Sequence, residues 1–259
     1  MNKVTPKKSG TTPGGIYFEV HGSGKPLFLA FPIMASHGEI FGANGAQVLQ
    51  GYLERLCDRY SVLLVDYPSI GKSAAIPPGD LTADRVCADM LEVADAAGFD
   101  QFAWWGYSWG AVVGLQLASR TKRLSALVIG GWPPLGGPYA DMLKGASVNL
   151  SNPPDYAKVV LRNDAQYAQW AAFYGSVQDW PEAEAVAAIA CPRMTYVGAD
   201  SLTDAGGIEL PFAALLRQRA PELRAMGWWV REIPNQGHAV ALEPAVLVPV
   251  VREFLDDVL

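Results

Sequence analysis

Two residues of this 259-residue chain have the types and surroundings to act together on a carbonyl carbon: Ser108, in Gly106-Tyr107-Ser108-Trp109-Gly110, and His238, in Asn235-Gln236-Gly237-His238. A serine hydroxyl is a weak nucleophile until a base takes its proton, and histidine suits that task at neutral pH. The G-x-S-x-G spacing marks a strand turning so tightly into a helix that the serine is strained, with bulky residues two positions to either side excluded by sterics. Such a turn lifts the Ser108 hydroxyl clear of a sheet. It also aims the first amides of the following helix, that of Trp109 included, at an oxyanion forming beside the serine. The chemistry such a pair would carry out is acyl transfer through a covalent serine intermediate.

The elements that must position these groups follow from periodicity. The apolar run 102–105 predicts the strand before Ser108, and small residues Ala111 and Gly114 mark the helix after it, reaching about residue 120. His238 follows a strand at 228–233 and precedes a last helix at 245–259, which puts it on a loop at the carboxyl edge of the sheet. Residues 16–20 and 27–31 read as strands joined through the glycine-rich turn 21–24 as a hairpin. A helix at 46–59, a strand at 61–66, a helix at 83–97 with Thr82 as its N-cap and Gly98 at its end, and strands at 125–129 and 194–197 continue the pattern, with a helix near 212–219. This alternation predicts an α/β fold with a mostly parallel, doubly wound sheet, which binds ligands at the carboxyl ends of its strands. Residues 132–192 break the alternation. They hold no convincing strand, many aromatics and prolines at 133, 134, 138, 153 and 154, and predict a helical cap over that edge. The expected organisation is a flexible leader at 1–15, a core at 16–131 and 193–259, and the cap at 132–192.

Half of the residues are apolar and 18% charged, with a net charge of −6 spread along the chain, which fits a globular protein and gives no basic stripe for nucleic acid. No apolar run approaches the roughly 18 to 20 residues that span a bilayer, and the lysines of the leader have no apolar stretch behind them to make a secretory signal. Cys57, Cys87 and Cys191 form neither a disulfide framework nor a metal site. A cytoplasmic location is expected, and no metal or cofactor. Gly71-Lys72-Ser73 mimics the end of a phosphate loop, but Asp66 stands where that loop needs its first glycine. His21 and His37 have no matching acid or metal partner and read as structural. The expected partner is a small-molecule substrate, met by a monomer or homodimer.

Taken in order, several motifs resemble those of the α/β-hydrolase superfamily from about residue 16 to the end. They are Gly22-Ser23-Gly24-Lys25-Pro26, the Asp66-x-x-Ser69-x-Gly71-x-Ser73 loop, the serine turn, Val197-Gly198-Ala199-Asp200, and Gly237-His238 with Glu243-Pro244. The resemblance implies a nucleophile–acid–histidine order along the chain, a cap between the strands at 125–129 and 194–197, and an oxyanion hole completed after the third strand. It names Ser108, His238 and Asp200 as the triad, and the backbone amides of Trp109 and Ile33 as the hole. This chain departs from the family in three places. Phe31-Pro32-Ile33-Met34 replaces a His-Gly pair, and Pro32 has no amide proton to give. The family's acid stands at the third position after the strand-ending glycine, which here is Ser201. Asp200, one residue early, is the expected acid, with Asp204 the alternative. Ser69 replaces a common glycine, while Asp66 is expected to order its loop. Met34, Tyr107 and Trp132 are expected to contact the substrate.

The reaction implied is hydrolysis of a carboxylic ester, lactone or thioester of a small, partly apolar substrate through a Ser-His-Asp acyl-enzyme. Two alternatives stand beside it: a ligand-binding protein with slow or no turnover, and a carbon–carbon hydrolase or cofactor-free peroxidase of the superfamily. A serine nucleophile argues against its dehalogenases and epoxide hydrolases, which use aspartate.

Overall fold

In the computed structural model, which describes residues 4–30 and 33–259, the strands in chain order are β1 (Lys8–Thr11), β2 (Tyr17–Gly22), β3 (Lys25–Ala30), β4 (Tyr60–Val65), β5 (Phe102–Tyr107), β6 (Leu124–Gly130), β7 (Arg193–Gly198), β8 (Thr203–Ala205), β9 (Ile208–Leu210) and β10 (Trp229–Ile233). All but β8 and β9 form one sheet in the order β1-β2-β4-β3-β5-β6-β7-β10. Pairing is parallel from β4 to β10 and antiparallel where β2 meets β1 and β4. The helices are α1 (His37–Ile40), α2 (Gly42–Leu56), α3 (Ala83–Ala97), α4 (Trp109–Ala118), α5 (Tyr139–Val148), α6 (Asp155–Val160), α7 (Ala168–Ser176), α8 (Glu182–Ala187), α9 (Phe212–Ala225) and α10 (Pro244–Val258). Helices α2 and α10 pack on one face around Tyr52, Trp105, Leu247 and Phe254. Helices α3, α4 and α9 cover the other with Phe28, Trp104, Val112 and Leu216. Burial on both faces explains why β5 has no polar alternation: each of its residues is buried.

Local signals hold where sequence placed them. The Thr82 hydroxyl accepts from the Arg85 amide at 3.2 Å and caps α3, while Gly98 ends it at φ 83°. The α/β, doubly wound architecture is as expected, but three local readings need correction. First, residues 16–30 are not a hairpin, because β4 runs between β2 and β3. The glycines serve that insertion rather than a two-residue turn. Gly24 has φ 121°, and a Cβ there would lie 2.0 Å from the Arg59 carbonyl oxygen at the start of β4. We expect Gly24→Ala to destabilise the fold by roughly 3 kcal/mol or more, combining backbone strain with a backbone clash; urea denaturation would measure this. Second, Lys8–Thr11 of the expected leader pairs with β2 from Lys8↔Val20 to Thr11↔Tyr17, so that segment belongs to the sheet. Third, β8 and β9 form a separate hairpin after β7, too short for periodicity to reveal. The expected end of the third strand at Phe31, and Pro32 after it, lie outside the described residues.

Between β6 and β7 stand α5 to α8. An isolated antiparallel bridge, Ile70↔Leu161, ties the end of α6 to the loop after β4. The hairpin meets α5 backbone to backbone, since a Cβ on Gly145 would lie 2.4 Å from the Ala205 carbonyl oxygen. Among the described residues, no helix is long and apolar enough to cross a membrane.

Candidate active site

Ser108 sits between β5 and α4 with φ 54° and ψ −118°, a conformation that costs a non-glycine residue roughly 1–3 kcal/mol. The tightness has a direct cause: a Cβ on Gly106 would come within 2.1 Å of the Gly110 carbonyl oxygen. The Ser108 amide donates to the Gly130 carbonyl at 2.8 Å, so β6 holds the turn from the side. Its hydroxyl projects toward His238 and lies 3.1 Å from Nε2. The Trp109 amide opens α4, where no earlier turn supplies a carbonyl to accept from it.

His238 begins a short helical turn after β10. The Tyr107 hydroxyl donates to the His238 carbonyl at 2.6 Å, and Phe212 stacks on the imidazole at 5.0 Å and 24°. Room for the Tyr107 ring comes from Gly131, where a Cβ would meet it at 2.5 Å. Removal from water pushes His238 down from 6.5 to about 4. A neighbouring carboxylate would act in the opposite direction, and desolvation is the sole cause of the shift.

The group at Nδ1 is Ser201, whose Oγ lies 3.3 Å away. Asp200, the acid expected from sequence, is exposed. The backbone explains the exchange. Gly198 admits the 236–237 loop so closely that a Cβ would meet the Gln236 carbonyl oxygen at 2.3 Å, and the Asp200 amide donates to that carbonyl at 2.9 Å. The chain then turns, with the Ser201 amide on the Gly198 carbonyl at 2.9 Å and the Ser201 side chain 2% exposed. Asp204, the alternative, is also exposed and accepts from the Gly207 amide at 2.9 Å, which fixes the turn between β8 and β9.

Ser108 and His238 open into a cavity of about 930 Å³. Met34 and Tyr107, expected from sequence to contact the substrate, line it. Trp132 does not. It is 1% exposed and packed among Tyr139, Tyr174 and Phe212, because Gly137 lets the chain fold over its indole. The cap aromatics divide the same way: Tyr156, Tyr167, Trp170 and Tyr174 reach the cavity, while Phe173 is buried in the core. Ile33 is buried on the opposite face with Leu29 and Tyr52, whereas Met34 beside it faces the cavity. Asp66 accepts from the Ser36 amide, the Ser36 hydroxyl and the Lys72 amide at 2.5 to 2.9 Å, and so orders its loop. Ser69 takes the left-handed conformation, φ 67°, of the glycine it replaces and accepts from the Ile76 amide at 3.2 Å.

Sequence reasoning passed over Tyr67 and Phe212 at this site. Tyr67 lines the cavity edge-on to Trp109 at 4.7 Å, and neither the Tyr67 hydroxyl nor the Trp109 indole nitrogen has a partner among the described residues. Nothing in the pattern around Tyr67 separates it from packing. Among the described residues no cluster of three or more His, Cys, Asp and Glu side chains is arranged to hold a metal ion.

With this geometry in view, comparison with known proteins is informative. The model of the alpha/beta hydrolase family matches residues 20–250. Over 120 residues the chain is 32% identical to a protein of Azorhizobium caulinodans that bears the name of a carbamate hydrolase, RutD; the match takes in 45% of this chain and 41% of that protein. The chain thus spans less than half the length of the curated relatives it matches. A thermophilic esterase from Thermogutta terrifontis superposes with a TM-score of 0.66 at 21% identity, over 99% of this chain and 98% of the esterase. The enol-lactonase of Burkholderia xenovorans LB400 does so with a TM-score of 0.66 at 16% identity, over 96% of this chain and all of its own. At such identities the structural likeness carries the fold alone.

Proposed function

The chain belongs to the α/β-hydrolase family, and from that premise we propose that it is a serine hydrolase cleaving a carboxylic ester, lactone or thioester of a small, partly apolar substrate. The observation that carries this reading is the 3.1 Å approach of Ser108 Oγ to His238 Nε2 at the wall of a cavity of about 930 Å³. That volume suits a small ligand, and its lining is largely apolar and aromatic. In the proposed mechanism Ser108 Oγ attacks the carbonyl carbon as its proton passes to His238 Nε2, and the Trp109 and Ile33 amides hold the oxyanion. Collapse expels the leaving group with the proton from His238. Water then repeats the sequence and releases the acid. No cofactor enters any step.

The name of the RutD relatives suggests a carbamate as one candidate substrate, which enters the tests below as a competitor to esters. A ligand-binding reading without turnover draws on a different observation, the lack of a carboxylate at His238 Nδ1 among the described residues. Incubation with an activated aryl ester separates the two. Steady release of the phenol supports the enzyme, and release confined to a single equivalent or less supports the binding protein. Because Asp200 stands outside the relay, Asp200→Asn is expected to leave ester turnover within about twofold, the range of an exposed substitution. A loss of orders of magnitude would restore Asp200 as the acid.

A further inference from the structure

The serine at Nδ1 has chemical consequences for what the site can cleave. Ser201 is held from both sides, its amide on the Gly198 carbonyl at 2.9 Å and its carbonyl accepting from the Ala213 amide at 3.2 Å. Its position relative to the imidazole is therefore fixed by β7 and the start of α9. For Nε2 to accept the Ser108 proton, the other nitrogen must carry hydrogen, so Nδ1–H donates and Ser201 Oγ accepts. Ser201 thus selects the working tautomer, as a triad acid does. It brings no negative charge to the imidazolium that forms when Ser108 is deprotonated. Nor does any other element among the described residues supply one. Tyr107 of β5 and Phe212 of α9 present rings, and Asp200, Asp204 and Glu243 on the adjoining loops are exposed, with none bonded to the imidazole.

Resting on the acyl-enzyme reading above, we propose that Ser201 is the positioning residue for His238 and that its neutrality restricts the enzyme to acyl donors with an intrinsically electrophilic carbonyl: aryl and enol esters, strained lactones and thioesters. In attack, the Oγ–H bond breaks toward Nε2, the Oγ–C bond forms and the carbonyl π pair moves onto oxygen. The cationic imidazole that results is disfavoured by its removal from water, and the low basicity of His238, about 4, is in keeping with this. In a carboxylate triad an acid-to-amide change lowers kcat by about 10⁴ because the histidine takes the wrong tautomer; Ser201 keeps the tautomer and lacks only the charge that stabilises the imidazolium. A weak base makes attack the hard step, so the carbonyl must meet it part way. Electron withdrawal by a phenol, enol or thiol does so. Donation by the nitrogen of an amide or carbamate does the reverse.

The test is a series of para-substituted phenyl acetates, from nitro to methoxy, with acetanilide and a phenyl carbamate, assayed on wild type, Ser201→Asp, Ser201→Thr and Ser201→Ala. In the wild type kcat/KM should fall by roughly 100-fold along the ester series, the lower end of what proton transfer contributes to catalysis, with the anilide and carbamate slower still. Ser201→Asp should flatten the series by accelerating its slow members roughly tenfold or more, and should move the acid limb of the pH profile upward. Ser201→Ala should slow every member, and Ser201→Thr, which keeps the hydroxyl, should recover most of that loss. A wild-type series as flat as that of Ser201→Asp, or a carbamate cleaved as fast as the nitrophenyl ester, would overturn the proposal. Should Ser201→Asp fail to fold, the wild-type slope decides alone. Ser108→Ala keeps the two levels apart. If it still hydrolyses the esters, the acyl-enzyme reading itself fails; if it is inactive and the slope is flat, only the inference about Ser201 fails.

Discussion

Ser108→Ala is expected to lower kcat on an activated aryl ester by roughly 10⁵- to 10⁶-fold, the scale on which removal of a catalytic serine acts. In the proposed mechanism the residue makes the covalent bond, so neither His238 nor the oxyanion amides can replace it. The variant should fold, because alanine keeps the helix start and loses only the contact to Nε2. The backbone strain remains, since φ of 54° is as foreign to alanine as to serine. Ser108→Gly should therefore be equally inactive and more stable than Ser108→Ala by about 1 kcal/mol. Esterase assays with paired thermal melts test both halves of this expectation. Activity retained by either variant would exclude Ser108 as the nucleophile.

The second large effect falls on His238. His238→Ala should cost roughly 10⁴-fold or more in kcat/KM, as the attack loses its base. In the wild type the base works as neutral imidazole, so activity is present above its pKa and lost below it. With that value near 4 rather than 6.5, kcat/KM should be flat through neutral and mildly acid pH and fall only as pH approaches about 4. Stability has the same sign. Below pH 6.5 the unfolded chain protonates at His238 before the folded chain does, so this residue's contribution is complete above that pH and declines as pH falls toward 4. A pH–rate profile halving near 6.5 or higher would contradict the depressed basicity of a desolvated His238.

The placement of the candidate nucleophile and base was legible in sequence because the features that announce them are steric and local. Gly106 is required by a turn in which a Cβ would meet the Gly110 carbonyl oxygen at 2.1 Å, and the apolar run before it specifies the strand that delivers it. The loop bearing His238 follows from the order of β10 and α10. The acid was misread for an equally local reason: spacing pointed to position 201, and residue chemistry pointed to Asp200. The structure follows the spacing, because the amide of Asp200 is committed to Gln236 and its side chain is left outside. Trp132 shows the limit of composition. An aromatic beside a cap can face either the cavity or the packing beneath it, and that choice depends on Gly137 and Phe212, which are far apart in sequence and both lie against the Trp132 ring. The pairing of β4 between β2 and β3 is likewise invisible to a reading that weighs only the turn joining them.

The reactivity of the proposed nucleophile is open to direct measurement by mass spectrometry after incubation with an aryl phosphonate that reacts with activated serines. One adduct per chain is expected, localised by peptide mapping to the segment holding Ser108, absent from Ser108→Ala and greatly slowed in His238→Ala. An active esterase that takes no adduct, or carries it on another residue, would show that Ser108 and His238 are not its catalytic pair.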